Sequence, residues 1–320
     1  MLELEENTSL ETLQLIPLWE KGEILISSGP AGEGNMNLVL RVKSNLRSVI
    51  LKQSKPYVRK YPQIAAPINR IEIEKTYYSL TESDPVLKRF SPKVIAYFPE
   101  NHLLITEDLG MGSDFSFLYK GKNTLVPETL SGLSDYLNAL HGMEIIDFQD
   151  NSAMKILNHE HIFNFPFAEE NGFDLDSIQL GLQEVSLTFK KDTELKNALT
   201  ELGKRYLFDG NTLLQGDFYP GSWLKVEGGL KIIDPEFGFM GDKEFDLGVL
   251  FAHFDLTQQP ESGKEEFLKK YKHPFSPALL NQYQGVEILR RLIGIAQLPV
   301  SLTLSQKKNL LEKARKLVLA

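Results

Sequence analysis

Three carboxylates and a hydroxyl stand in two short stretches of this chain, Gln215-Gly216-Asp217-Phe218-Tyr219-Pro220-Gly221-Ser222 and, after an apolar spacer, Ile232-Ile233-Asp234-Pro235-Glu236. Asp217, in a tight loop, can accept the proton of an attacking hydroxyl. Ser222, Asp234 and Glu236 offer the hard oxygen ligands that Mg2+ takes when it accompanies ATP. Either stretch alone reads equally as an ordinary turn, since Gly-Asp and Asp-Pro pairs punctuate many loops. Together, in this order and spacing, they describe a phosphoryl-transfer site.

Upstream elements must then meet the rest of the nucleotide. Gly32-Glu33-Gly34-Asn35-Met36-Asn37 lies between two strand-like stretches, where Gly32, Gly34, Asn35 and Asn37 are expected to bring backbone N–H groups close to phosphate oxygens. A plain hairpin turn is the competing reading. The strand pattern of Leu38 to Val42 excludes the dinucleotide-binding version of such a loop, which requires a helix there. Lys52 ends an apolar strand and, if it points inward, needs an anion: a phosphate or a carboxylate. Glu74, in mid-helix, is the expected partner, with Glu72 as second choice because sequence fixes helix phase only to within a residue or two. Glu107-Asp108-Leu109 follows a strand where helical segments begin, so the backbone of Glu107 and Leu109 is expected to face adenine, a simple acidic linker being the alternative. Asp246 opens a helix and is expected either to cap it or to brace the catalytic loop. His159 and His161 flank Glu160 without a third ligand nearby in sequence, and they read as structural.

The elements that must position these groups fall into two halves. Strand-like runs at 24–26, 38–42 and 49–52 are followed by a helix over 69–80, with Asn69 as its cap and Ile73, Tyr77 and Leu80 on one stripe. Two more strands cover 93–97 and 102–106. Beyond Gly110 the pattern is helical, at 127–140, 195–207, 247–253 and a final pair over 276–319 interrupted near Pro299. Two short strands around Glu227-Gly228-Gly229 are the exception. The expected division is a nucleotide-binding lobe over 1–109 and a catalytic and substrate lobe over 110–320.

Composition narrows the function class. A formal charge of −8 over 320 residues argues against a nucleic-acid partner, which clustered Lys and Arg would have to hold. The absence of cysteine rules out disulfides and thiolate chemistry, and it agrees with a reducing compartment. The acidic start of the chain and the lack of a long apolar run point to a cytoplasmic protein with no membrane partner. Homodimer formation is left open.

These residues together resemble the aminoglycoside phosphotransferase and choline kinase superfamily, and within it the methylthioribose kinase branch. The resemblance is carried by Gly32 to Val39, by Ser48 to Gln53 running into Lys55-Pro56-Tyr57-Val58-Arg59, and by Asp234-Pro235-Glu236-Phe237. Gly241, Phe245-Asp246-Leu247-Gly248 and the arginine pair of Leu289-Arg290-Arg291-Leu292 complete it. It implies an α+β, two-lobed, protein-kinase-like fold with a small, mainly β N-lobe and a larger, mainly α C-lobe. It also implies an ATP- and Mg2+-dependent kinase of a small-molecule hydroxyl substrate. Asp217 falls on the catalytic base, Asp234 and Glu236 on the metal ligands, Lys52 on the phosphate-binding lysine, and Arg290 and Arg291 on an arginine pair lining the substrate side. Gln215 replaces the usual His, and Phe218-Tyr219 replaces the branch's common Leu-His; Ser222, where the superfamily has Asn, agrees with the branch. Adjacent helical residues diverge by about 100°, so one arginine is expected to reach substrate and the other to brace a loop. The expected acceptor is 5-methylthioribose, giving its 1-phosphate. Alternatives are an aminoglycoside, a choline-like alcohol or another sugar, or an inactive nucleotide-binding pseudokinase. Only Phe237 to Glu244 separates the metal loop from Phe245, which leaves no room for a protein kinase's activation segment.

Overall fold

A computed structural model of the chain describes residues 2–32, 34–121, 123–145 and 147–320; Glu33 of the glycine loop lies outside them. The chain divides into two units. One comprises the residues up to Gly112 together with Val226–Phe237, and the other comprises Ser113–Lys225 and Gly238–Ala320. The division expected from sequence is contiguous at 109/110. The segment 226–237, which carries the metal loop, instead packs with the first unit, because the turn at Pro235–Phe237 lies against the helix Arg70–Thr81.

The first unit is built on a five-stranded antiparallel sheet in the order 25–30, 38–44, 48–53, 103–107, 94–98. Alternation sends Leu38, Leu40, Val42, Val49, Leu51, Leu103 and Ile105 into one core with Leu4, Leu13 and Ile16 of the N-terminal segment. Lys52 pairs in register with Val39 and with Leu104, one step out of phase with Leu51, so it is buried away from that core. The helix Arg70–Thr81 packs on the strands 94–98 and 103–107. Its buried stripe runs through Arg70, Ile71, Ile73, Glu74, Tyr77, Tyr78 and Thr81, and the expected Leu80 lies off it. Asn69 occupies the cap position without a side-chain hydrogen bond. A small hairpin, Tyr57–Val58 with Tyr61–Ala65, has no counterpart in the sequence reading. Its residues alternate too weakly in polarity to signal a strand.

The second unit is mainly helical. The helices Pro127–His141, Thr193–Leu207, Glu244–Leu256, Pro277–Ile293 and Leu304–Leu319 match expectation to within a few residues. Ser152–His159, Leu182–Lys190 and Glu261–Lys270 are additional. Leu199, Leu202, Tyr206, Phe245, Val249, Tyr283, Val286 and Leu289 share one core. A two-stranded ribbon, Thr212–Leu214 against Phe239–Gly241, delivers the chain into the Asp217 loop. Among the described residues no helix is long and apolar enough to cross a membrane.

Candidate functional site

Five of the residues singled out in sequence meet in the first unit, with one that was not. Lys52 Nζ is 2.6 Å from Asp234 Oδ1 and 2.6 Å from Glu74 Oε2, so Glu74 rather than Glu72 is its helix partner. Glu236 accepts from Asn37 Nδ2 at 2.8 Å and lies 3.2 Å from Arg70 Nε. Arg70 is the residue sequence reasoning missed. Wholly buried at a helix start, it also donates through Nη1 to the carbonyls of Lys55 and Pro67, and through Nη2 to that of Met36, tying the glycine loop, the Lys55 segment and the metal loop together. No local pattern announces such a role. Asp234 sits at φ +59°, a left-handed conformation rare outside glycine, which turns its half-exposed carboxylate back toward Lys52 two residues after the strand Gly229–Ile232.

Three carboxylates, Glu74, Asp234 and Glu236, gather here with two cations, Lys52 and Arg70. Burial alone would depress the Lys52 ammonium, but the three carboxylates raise it above its ordinary value. Burial, helped by the charges of Asp234 and Glu236, pushes Glu74 up to about 7 against the pull of Lys52; burial likewise raises Glu236. A surplus of hard, anionic oxygen is what a divalent cation requires, so the donor set fits magnesium. Among the described residues no group of three or more His, Asp or Glu forms a ready cage. Mg2+ commonly takes only one or two carboxylates and fills its shell with phosphate and water.

The glycine loop is a turn between the strands 25–30 and 38–44. Gly34 is required there, because a Cβ would lie 2.2 Å from the Asn37 carbonyl oxygen. The Asn35 carbonyl accepts from Lys60 N–H at 3.0 Å, so the Tyr57–Ala65 hairpin steadies the loop. Gly32 and Asn35 are exposed, whereas Asn37 is buried on Glu236. Glu107 is the last residue of the strand Leu103–Glu107, and its carboxylate accepts Lys93 N–H at 3.0 Å. Leu109 is half-buried coil. Asp108 between them accepts from Arg41 Nε at 2.8 Å and from Ser48 Oγ at 2.5 Å.

The second unit holds Asp217, Ser222, Arg290 and Arg291. Gly216 at φ +83° makes the tight turn before Asp217. Asp246, fully buried, accepts the backbone N–H of Gln215 at 2.8 Å and of Gly216 at 3.0 Å, and it meets His141 Nε2 at 3.2 Å. It therefore braces the loop rather than capping its own helix. Gln215 accepts Asp217 N–H through Oε1 at 2.8 Å, so an amide holds the loop where a His is usual. Ser222 is buried, and its hydroxyl donates to the Asp217 carbonyl at 2.9 Å, closing the same turn.

The two arginine side chains converge where helix geometry led us to expect divergence. Arg290 Nη2 and Arg291 Nη2 reach the same atom, Asp217 Oδ1, at 3.3 and 3.0 Å, and both guanidinia also grip Glu287. Their Cα positions diverge around the helix as geometry demands. The long side chains converge because Glu287, three and four residues earlier, draws both back. Arg291 also lies over the Tyr219 ring, 4.9 Å from its centroid. The His159 ring packs at a tilt against that of Phe163, and neither His159 nor His161 joins a ligand group among the described residues.

No family model matches the chain. Methylthioribose kinase of Pectobacterium atrosepticum is 30% identical over 258 residues, covering 73% of this chain and 61% of that protein. The Exiguobacterium sibiricum enzyme of the same name is 27% identical over 248 residues, covering 74% and 62%. These matches thus span less than two thirds of the relatives' own length. Among solved structures, choline kinase of Streptococcus pneumoniae aligns with a TM-score of 0.53 at 18% identity, covering 92% of this chain and 93% of that one. The AMP-bound complex of spectinomycin phosphotransferase aligns with a TM-score of 0.56 at 12% identity, covering 97% of each. The chain therefore resembles methylthioribose kinases in sequence and has the α+β, protein-kinase-like fold of the aminoglycoside phosphotransferase and choline kinase superfamily.

Proposed function

We propose that this chain is an ATP-dependent small-molecule kinase that transfers the γ-phosphate to a sugar hydroxyl, with 5-methylthioribose as acceptor and 5-methylthioribose 1-phosphate as product. The similarity to methylthioribose kinases and the AMP-bound structural neighbour support ATP as donor. The first unit is assigned to the nucleotide: the 32–37 loop and Lys52 to its phosphates, Glu74 to orienting Lys52, and the backbone at Glu107 and Leu109 to adenine. Asp234 and Glu236 would hold Mg2+, which when bound neutralises charge on the transferring phosphoryl group. Ser222, proposed from sequence as a further ligand, belongs to the other unit, where its geometry supports loop closure instead. The second unit is assigned to the acceptor, with Asp217 orienting the hydroxyl and taking its proton.

The observation that carries the choice of acceptor is the charge balance around Asp217. Asp217 and Glu287 are matched by Arg290 and Arg291, so the cluster has no anionic surplus with which to hold a polycation. Two guanidinium forks beside the base suit a neutral polyol, whose hydroxyls accept from several fixed donors. That favours a sugar over an aminoglycoside or a choline-like alcohol. The test is ADP release with 5-methylthioribose, ribose, choline and aminoglycosides. Turnover highest on 5-methylthioribose is expected; preference for a cationic acceptor would overturn the assignment. Titrating ADP with and without magnesium into wild type and Asp234→Asn tests the metal. The magnesium-dependent gain in affinity should vanish in the variant, and its survival would remove Asp234 from the metal set.

A further inference from the structure

Glu287 lies on the helix Pro277–Ile293 and is 1% exposed. An ionised carboxylate there needs full compensation, and it receives four donations. Arg290 gives two, from Nε and from Nη2 at 3.2 Å; Arg291 Nε donates at 2.7 Å and His253 Nε2 at 3.1 Å. Burial would raise this carboxyl, but the two guanidinia and His253 hold it well below the usual range. Behind it lies a further layer, the Tyr119 hydroxyl 2.7 Å from His253 Nδ1. Because Nε2 faces a carboxylate it carries the imidazole proton, so Nδ1 accepts from Tyr119. Burial depresses His253 to about 4, so the ring is neutral at physiological pH and the relay has one defined polarity, from Tyr119 through His253 to Glu287.

The same motif occurs a second time in this unit, and its end point is informative. The Tyr271 hydroxyl lies 2.7 Å from His141 Nδ1, and His141 Nε2 lies 3.2 Å from Asp246, whose oxygens hold the backbone of the Asp217 loop. One Tyr–His–carboxylate relay therefore fixes the backbone that carries Asp217, and the other terminates on the two arginines that touch its side chain. Two carboxylates and two arginines could equally be satisfied as two separate ion pairs. Here two arginines, pointing about 100° apart from the helix axis, are bent onto one oxygen of one aspartate, and the shared anchor is Glu287.

We propose that Glu287 is a positioning residue for the acceptor. Backed by His253 and Tyr119, it gathers the Arg290 and Arg291 guanidinia beside Asp217, so that the hydroxyls of a neutral sugar meet donors already fixed in place. The inference rests on the assignment of Asp217 to the acceptor. Outer-layer partners of this kind change affinity or activity by roughly 10- to 100-fold when removed.

The experiment measures kcat and KM for 5-methylthioribose, the dissociation constant of ADP, and Tm, in wild type and in Glu287→Gln, Glu287→Asp and Tyr119→Phe. Glu287→Gln turns one acceptor oxygen into an NH2 group facing guanidinium donors. It should lower kcat/KM for the acceptor by about 10- to 100-fold, mainly through KM, with the ADP dissociation constant within about twofold of wild type. Glu287→Asp keeps the charge and should recover part of that loss. Should Glu287→Gln fail to fold, Tyr119→Phe, which removes one hydroxyl from a filled core, should still raise acceptor KM several-fold while ADP binding holds. Acceptor kcat/KM within about twofold of wild type in the folded variants overturns the inference, and so does a loss shared equally by ADP binding. If wild type phosphorylates none of the sugars, alcohols or aminoglycosides offered, the kinase assignment falls and takes this inference with it. If it phosphorylates any of them, the Glu287 variants decide the inference alone on that acceptor.

Discussion

The two charged clusters of this chain are built on opposite plans. The Lys52 cluster has three carboxylates for two cations, leaves Asp234 half exposed, and raises Glu74 to about 7 through burial, helped by the charges of Asp234 and Glu236. The Asp217 cluster is charge-balanced, more deeply buried, and locked by two Tyr–His–carboxylate relays. A site whose ligand brings its own metal and phosphate charges can be left electrostatically incomplete, because the ligand finishes it. A site for a neutral acceptor has no such help, so the protein must satisfy every group itself and supply orientation in advance.

The largest effect that could break this contrast is Asp217→Asn. Removing a general base costs about 10²- to 10⁴-fold, so kcat should fall by that factor while the ADP dissociation constant stays near wild type. Near-wild-type turnover would take the proton-accepting role away from Asp217.

The balanced cluster should also reveal itself in stability against pH. His253 is pulled below its ordinary 6.5 to about 4 in the folded chain, so the unfolded chain binds the proton more readily. Its contribution is intact above about pH 6.5 and is lost as pH falls toward 4, by up to roughly 3 kcal/mol. The depressed Glu287 adds a further loss as pH falls below about 4.5. Denaturant midpoints for wild type and His253→Gln between pH 7 and 4 should show a flatter profile in the variant; parallel profiles would mean that His253 is not held neutral.

On the incomplete side, Lys52→Met removes a charge-assisted contact of about 1.5–3 kcal/mol, so ADP affinity measured by calorimetry should fall roughly 10- to 100-fold. Acceptor KM should hardly move. An equal rise in acceptor KM would show that the two clusters are not separable by ligand.

Smallest in effect, Arg290→Lys and Arg291→Lys each replace a fork that spans Glu287 and Asp217 with a single ammonium. Because both side chains make both contacts, the two variants should behave alike, each raising acceptor KM by about tenfold. A division, with one variant losing only stability, would restore the reading in which one arginine braces and the other reaches.

Local pattern determined much of this molecule. The sheet strands and the long helices were legible because alternation, apolar stripes and turn residues are properties of adjacent positions, and Asp217, Asp234 and Glu236 stood out as candidates because their carboxylates are clustered within short loops. Tertiary packing decided the rest. Glu74 prevails over Glu72 as partner of Lys52 because the helix turns its stripe of 70, 71, 74, 77, 78 and 81 inward, a phase the sequence carries only to within a residue. Arg70 gained its role by being buried where three segments meet, and the arginine pair converges because side chains several bonds long can overrule the direction of their Cα–Cβ vectors. Tyr119 and His253 are 134 residues apart and His253 and Glu287 are 34 apart, so no spacing rule could have joined them. Folding brings them within hydrogen-bond distance because a buried carboxylate, a buried imidazole and a buried phenol each need a partner that water no longer provides.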